Sequence, residues 1–299
     1  MSEPALTPTA EPRSSQEPLR FGIVRNQNLS LPELQRSWAF FEELGFDSIW
    51  HADHYQRPSV PEHPFLEGWT LLAHMATRTE SARIGLLVTS NTFRDPALVA
   101  KQAVTVDHAS GGRLELGIGT GWWEPEHRAY GLTFPEPKEL VDRFEEALEV
   151  VMALLSGDTA SYDGRFYHLK DAQFRPAPLQ PKLPLTLGAH GPRMLRIVAR
   201  FADRWNSYGT VDEIRERSAR LDEACAAAGR DPGEILRSLY GWTLKLGADP
   251  WSSPAAFADI VGRYREAGIR EFLMEAPHEH QFATTERIAR EVIPGLRWG

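Results

Sequence analysis

The sequence predicts an α/β fold: a single (β/α)8 TIM barrel with an insertion after the fourth βα unit. Eight short β-rich runs alternate with amphipathic helical stripes, and each unit takes about 35 residues, the size expected for this barrel. The rival architecture, a doubly wound sheet, carries a glycine-rich dinucleotide fingerprint after its first strand, and GIVRNQNLS at 22–30 has none.

The units follow in order. LRFGIV (19–24) is the first strand, and Leu34, Trp38 and Phe41 then recur at helical spacing. DSIW (47–50) is the second, followed by a Pro-bearing loop and a helix near 67–77. ARIGLLVTS (82–90) is the third; its helix opens near Pro96 and aligns Val99, Ala103 and Val106. RLELGIG (113–119) is the fourth and leads through a long loop to the stripe Leu140, Phe144, Leu148, Val151, Leu155. Residues 156–182 break the rhythm, and their Gly, aromatic and Pro content predicts a short hairpin and an extended loop. LPLTLGA (183–189) with a helix over 192–201, DRWNSY (203–208) with the stripe Ile214, Ser218, Leu221, Cys225, LRSLYGWTLKL (236–246) with Phe257, Ile260, Val261, Tyr264, and REFLME (270–275) with a helix over 282–293 complete the eight. Residues 1–18, rich in Pro, Ser and Glu, read as a disordered tail, leaving 19–299 as the barrel domain.

Composition excludes several function classes. The 299 residues are 42% hydrophobic and 25% charged, with 41 acids against 33 bases for a net charge of −8. A chain of this balance without a Lys/Arg run offers no footprint for nucleic acid or an anionic membrane. No apolar run approaches the roughly 18 residues of a spanning helix. The lone cysteine, Cys225, allows no intrachain disulfide and fits a cytoplasmic protein.

In such a barrel, chemistry sits at the C-terminal strand ends. WHADHY (50–55) places two histidines and an acid there. A metal centre would need further ligands at other strand ends, and the first strand lacks the His-x-His pair that metal-dependent hydrolase barrels usually carry there, so no metal is expected and Asp53 and His54 read as hydrogen-bonding groups at a pocket rim. In GIGTGWWEPEH (117–127), Gly117, Gly119 and Gly121 clear side chains from a buried strand end, so that a flat ligand or another backbone can approach. Trp122 and Trp123 offer a stacking surface beside them. Glu124 and Glu126, two apart on one loop, are poorly spaced for a glycosidase pair. LGAHGPRM (187–194) is a strand, a tight turn and a helix opening at Pro192; the free amides there form an anion site, with Arg193 adding charge.

Taken together, DHASGGRLELGIGTGW (107–122), WHADH (50–54), VTSNTFRDPALVAKQA (88–103), WWEPEHRAYGLTFP (122–135), GDTASYDGRFYHL (157–169) and LGAHGPR (187–193) resemble the bacterial luciferase-like flavin and deazaflavin oxidoreductases, especially the branch using coenzyme F420. The resemblance implies a cofactor ring at the barrel mouth, supported by a bulge at Leu87–Val88–Thr89 that often contains a non-prolyl cis peptide. It implies cofactor contacts from Asp53, Leu87, Val88, Ser90, Asn91, Gly121 and His190, and a phosphate turn at Gly191, Pro192 and Arg193. Sugar-phosphate dehydrogenases of this branch carry a glutamate directly after the Gly-Thr-Gly of the fourth strand, where this chain has Trp122. Tryptophan exchanges no proton, so His54 becomes the catalytic candidate, with Glu126 second, and an apolar wall of Trp122 and Trp123 suits a flat or hydrophobic small-molecule substrate. F420 is the expected cofactor and FMN the alternative, in which case the chain is a two-component monooxygenase; a non-catalytic ligand-binding barrel is the remote alternative. Arg25, Arg57 and Arg94 are candidates for holding the polyanionic F420 tail. A separate flavin or F420 reductase and a homodimeric assembly are the partners the resemblance implies.

Overall fold

The computed structural model describes residues 18–58 and 60–298. The expected tail falls outside them, Pro18 excepted. The strands are β1 (Arg20–Val24), β2 (Ser48–His51), β3 (Arg83–Leu86), β4 (Thr89–Ser90), β5 (Leu114–Gly119), β6 (Thr159–Asp163), β7 (His168–Gln173), β8 (Leu185–Gly188), β9 (Arg204–Ser207), β10 (Leu236–Gly241) and β11 (Glu271–Glu275). All but β6 and β7 lie in one parallel sheet, ordered β3-β2-β1-β11-β10-β9-β8-β5-β4, and pairing of β3 with β5 closes it. With β3 and β4 as two halves of one strand, this is the expected eight-stranded barrel. The first and last described residues come together beneath it: the Leu19 amide donates to the Arg297 carbonyl at 2.9 Å, and Arg297 pairs with Asp47.

The helical stripes face the barrel. Leu34, Trp38 and Phe41 are fully buried, as are Phe144, Leu148, Ile214, Leu221, Cys225, Phe257, Ile260 and Val261. Burying each large side chain contributes about 1.5–3 kcal/mol against the entropy of ordering it. The insertion is an antiparallel hairpin, β6–β7, whose Ala160 and the following Phe174 pack with Ala100, Val104, Val150 and Leu154 on two helices. Among the described residues no helix is long and apolar enough to cross a membrane.

The elements depart from the sequence expectation in three places, and one expectation is met: the third strand is interrupted at Leu87–Val88, where the peptide is cis. Gly85 pairs with Glu115 and Thr89 with Ile118, so four residues of one strand span three of its neighbour. The long loop after β5 contains a helix, Glu124–Ala129, started by Pro125. The seventh strand ends at Gly241 instead of running to 246, because the Glu275 carboxylate accepts the Thr243 amide at 2.9 Å and a helical turn, Thr243–Leu246, begins there. The last helix runs on to Trp298 through a wide turn at Ile288–Val292, just before Pro294, which lacks the N–H of a regular ladder.

The interior of the barrel is polar at its N-terminal end. Arg204 lies 2.7 Å from Glu115 and 2.9 Å from Glu271, all three at most 5% exposed, and Arg83 reaches Glu115 from outside. Burial alone would raise the Glu115 carboxyl, but Arg204 and Arg83 hold it below its ordinary range; burial pushes Glu271 up. A cavity of about 740 Å³ opens at this end. Its charges answer one another, and it lies at the opposite pole from the strand ends where chemistry is expected.

The space over the glycines of β5 is taken by the third strand. A Cβ on Gly117 would stand 2.1 Å from the Leu86 carbonyl oxygen, and one on Gly119 would stand 2.6 Å from a Val88 methyl. These glycines therefore admit the bulge, which is the approach of another backbone and not of a flat ligand. Replacing Gly117 with Ala should cost about 1–3 kcal/mol of unfolding free energy in chemical denaturation, whereas Gly157→Ala, which meets open space, should change stability by less than about 0.5 kcal/mol. Arg204→Met leaves two buried carboxylates facing each other and should cost about 3–5 kcal/mol; Arg200→Met, which removes only surface pairs with Glu145 and Glu149, should cost under about 1 kcal/mol in the same assay.

Candidate functional site

The C-terminal strand ends form a mouth whose polar groups are held by a few buried contacts. After β2, the backbone of Ala52 is clamped by Gln27: the Gln27 side chain donates to the Ala52 carbonyl at 2.6 Å and accepts the Ala52 amide at 3.2 Å. His51 faces the outer layer, not the mouth. Its Nε2 accepts from Trp38 at 3.1 Å, its Nδ1 lies 2.6 Å from the Arg25 carbonyl, and burial pushes its pKa down to about 4. Both nitrogens are committed to the scaffold.

Asp53, 3% exposed, ties two strand ends together. Its carboxylate accepts the Ser90 amide at 2.7 Å and two bonds from Arg94, at 2.5 and 3.0 Å. Burial raises its pKa, opposed by Arg94 and by the amide of Ser90. Arg94 also reaches Glu67, whose carboxylate caps the helix Gly68–Ala76 by accepting the amides of Trp69 and Thr70. Arg94 is thus a buried structural cation, which corrects its reading as a groove residue for a polyanionic tail. Arg25 feels the charge of Glu33, and burial lowers its pKa. Arg57 lies 3.4 Å from His63 Nδ1.

His54 stands beside Asp53 with its Nδ1 2.7 Å from Glu126 Oε2. Glu126 itself is fully buried, and its other oxygen accepts the amides of Tyr55 and Gln56 at 2.6 and 2.9 Å. The helix Glu124–Ala129 turns these neighbours apart. Glu126 and His127 face inward, while Glu124 points to solvent and pairs with Arg128. The His54 ring contacts Trp122 edge-on at 5.9 Å, and Trp122 meets Trp123 at 4.9 Å; Trp122 is 63% exposed.

Below this, Ser90, Thr92 and His127 form a chain. Ser90 Oγ and Thr92 Oγ1 are 2.8 Å apart, Thr92 Oγ1 is 2.6 Å from His127 Nε2, and His127 Nδ1 is 2.9 Å from the Trp123 carbonyl. Gly121, at φ +85°, closes over them; a Cβ there would stand 2.5 Å from Thr92 Oγ1. The Asn91 amide donates to the Gly119 carbonyl at 3.0 Å, and its side chain bonds Tyr167 of the insertion. Val88 extends toward Gly188 as well as Gly119, so the bulge forms a wall between the ends of β5 and β8.

Across the mouth, His190 contacts Ser207 Oγ at 3.0 Å and Tyr208 at 4.5 Å; burial and then Arg217 push its pKa down to about 4, so it is neutral near pH 7. Gly191 caps the helix Pro192–Phe201, and the space over its Cα is open. Beside this turn, Arg193 bonds Asp142 at 2.5 Å and lies 3.6 Å from Glu145 on the helix Pro137–Ser156. The turn itself offers backbone amides and the helix dipole.

Four groups were not singled out in the sequence: Thr92, His127, Tyr240 and Glu275. The Tyr240 hydroxyl donates to Glu275 at 3.1 Å inside the mouth, and burial with the neighbouring carboxylate raises the phenol well above its ordinary range. The signal was the period of two in LRSLYG and EFLME, which sends Ser238 and Tyr240, and Glu271, Leu273 and Glu275, to the barrel interior.

Known proteins resemble the chain over nearly its whole length. It is 33% identical to an F420-dependent glucose-6-phosphate dehydrogenase of Microbacterium testaceum, over 94% of this chain and 98% of that protein. A dehydrogenase of the same name from Intrasporangium calvum is 29% identical over 86% of this chain and 92% of its own. The solved structure of an F420-dependent secondary alcohol dehydrogenase, in complex with an F420-acetone adduct, superposes with a TM-score of 0.81 at 18% identity, covering 94% of this chain and 99% of that one. The model of the luciferase-like monooxygenase family matches residues 9–272, and the chain belongs to that family.

Proposed function

We propose that the protein is an F420-dependent oxidoreductase acting on a small, flat or hydrophobic organic substrate at the C-terminal mouth of the barrel. One juxtaposition carries most weight. The open turn at Gly191, the wall formed by Leu87–Val88 and the His54 side chain lie at the same end of the barrel, so a phosphate-bearing flat cofactor and a proton-exchanging group share one mouth. Relatives named as F420-dependent enzymes over most of the chain support the same cofactor.

The residues present fit such a group. The N-terminal amides of the helix Pro192–Phe201 would hold a phosphate, and Gly191 leaves room for it. Leu87, Val88, Ser90, Asn91 and Gly121 would border the ring, with Asp53 holding the Ser90 backbone in place. When bound, F420 supplies hydride transfer to or from a carbon of the substrate. The protein holds the reactants in register and excludes water. His54 exchanges the accompanying proton, since Trp122 occupies the position beside it and has none to give. Trp122 and Trp123 present the apolar face against which a substrate lies.

FMN is the second reading, favoured by one observation: Arg94 and Arg193 are engaged in ion pairs, which leaves fewer cations for a polyanionic tail, whereas FMN needs only one phosphate turn. A separate flavin or F420 reductase would then keep the cofactor reduced.

Fluorescence titration should give saturable F420 binding and weaker or no FMN binding; the reverse order sinks the F420 assignment. Gly191→Asp supplies an N-cap side chain without a clash, so thermal stability should hold or rise while cofactor affinity falls at least about 10-fold by charge repulsion at the turn. His54→Gln should leave cofactor affinity unchanged and lower turnover about 10²–10⁴-fold.

A further inference from the structure

Glu126 has a chemical consequence for His54 that its burial makes specific. A carboxylate in this position accepts hydrogen bonds only. With Glu126 Oε2 2.7 Å from His54 Nδ1, the proton of the neutral ring is drawn to Nδ1. Among the described residues His54 Nε2 makes no hydrogen bond, and the ring is 14% exposed beside Trp122. Nε2 is therefore the nitrogen with a free lone pair at the mouth.

Glu126 is well placed to enforce this. It is fully buried, its Oε1 is locked by the amides of Tyr55 and Gln56, and both amides lie within two residues of His54. One carboxylate thus fixes the loop that carries the ring and the ring itself.

We propose that Glu126 is a positioning residue: it holds His54 in the Nδ1–H tautomer, making Nε2 the atom that accepts and returns the reaction's proton. The assignment rests on the proton-transfer role of His54 given above. The balance is simple in either direction. In substrate oxidation, Nε2 would take the hydroxyl proton as hydride passes from carbon to oxidised F420, and Glu126 would stabilise the imidazolium; in reduction, hydride would come from reduced F420 and the proton from Nε2–H to the carbonyl oxygen. Glu126 acts through the ring and touches no reacting atom.

Glu126→Gln changes this with almost no change in shape. Its amide oxygen still accepts from Tyr55 and Gln56, so its NH2 group is turned to His54 Nδ1, donates to it, and forces the proton onto Nε2. The test is the nitrogen-15 spectrum of histidine side chains in the full-length, ligand-free protein, with His54 identified by its absence from His54→Gln. In the wild type, His54 should show a protonated Nδ1 and a bare Nε2; in Glu126→Gln these signals should exchange. An Nε2–H tautomer in the wild type overturns the proposal before any variant is made, and an unchanged tautomer in a folded Glu126→Gln overturns it as well. Turnover with reduced F420 should fall about 10²–10⁴-fold in kcat in Glu126→Gln, with cofactor affinity retained. Full turnover in Glu126→Gln beside an inactive His54→Gln refutes the positioning role alone, whereas full turnover in both variants brings down the proton-transfer reading with it.

Discussion

The mouth of this barrel depends on a break in register. Between Gly85 and Thr89 the third strand spends one more residue than its neighbour β5, and the excess is taken up at Leu87–Val88. Such a bulge brings backbone and Val88 into space that the next strands would ordinarily fill with side chains. Gly117, Gly119 and Gly188 vacate it. Because the third strand is displaced there, Ser90 meets the Asp53 carboxylate, Thr92 meets His127, and Gly121 can fold over both. The pocket is thus a consequence of backbone packing before it is a set of reactive side chains.

Around the bulge, buried charges act as fasteners. Asp53 with Arg94 joins the ends of β2 and β4, and Glu126 joins the helix Glu124–Ala129 to the loop after β2. Arg204 with Glu115 and Glu271 does the same at the opposite end, inside the barrel. Each carboxylate is nearly or fully removed from water, so each depends on its partner or on backbone amides to offset desolvation. Directional bonds of this kind fix loops to within a narrow range, as an enzyme site needs, whereas the apolar stripes beneath specify only that the helices pack.

The helical stripes and strand order were legible because period and alternation are local properties of the chain. The boundaries that moved are those set from a distance: the seventh strand stops at Gly241 because a carboxylate from β11 captures the Thr243 amide. At the site, Asp53, His54 and the Gly191 turn were legible as polar or glycine-rich residues at strand ends. Arg94 was misread, since an arginine near a mouth looks the same in sequence whether it is free or paired with an acid tens of residues away. Tyr240 and Glu275 went unmarked because they sit inside strands that read as plain core.

Sequence alone determined the class of fold, the number of units, the insertion between the fourth and fifth, and the end of the barrel where chemistry belongs; all follow from short-range patterning and from the rule that parallel barrels work at their C-terminal ends. The tertiary structure decided which nitrogen of which histidine faces the mouth, which cations are already spent, and what the glycines of β5 are for. Those are matters of partnership between residues such as His54 and Glu126, 72 positions apart. No local pattern encodes them, because hydrogen bonding is settled by distance and direction in space.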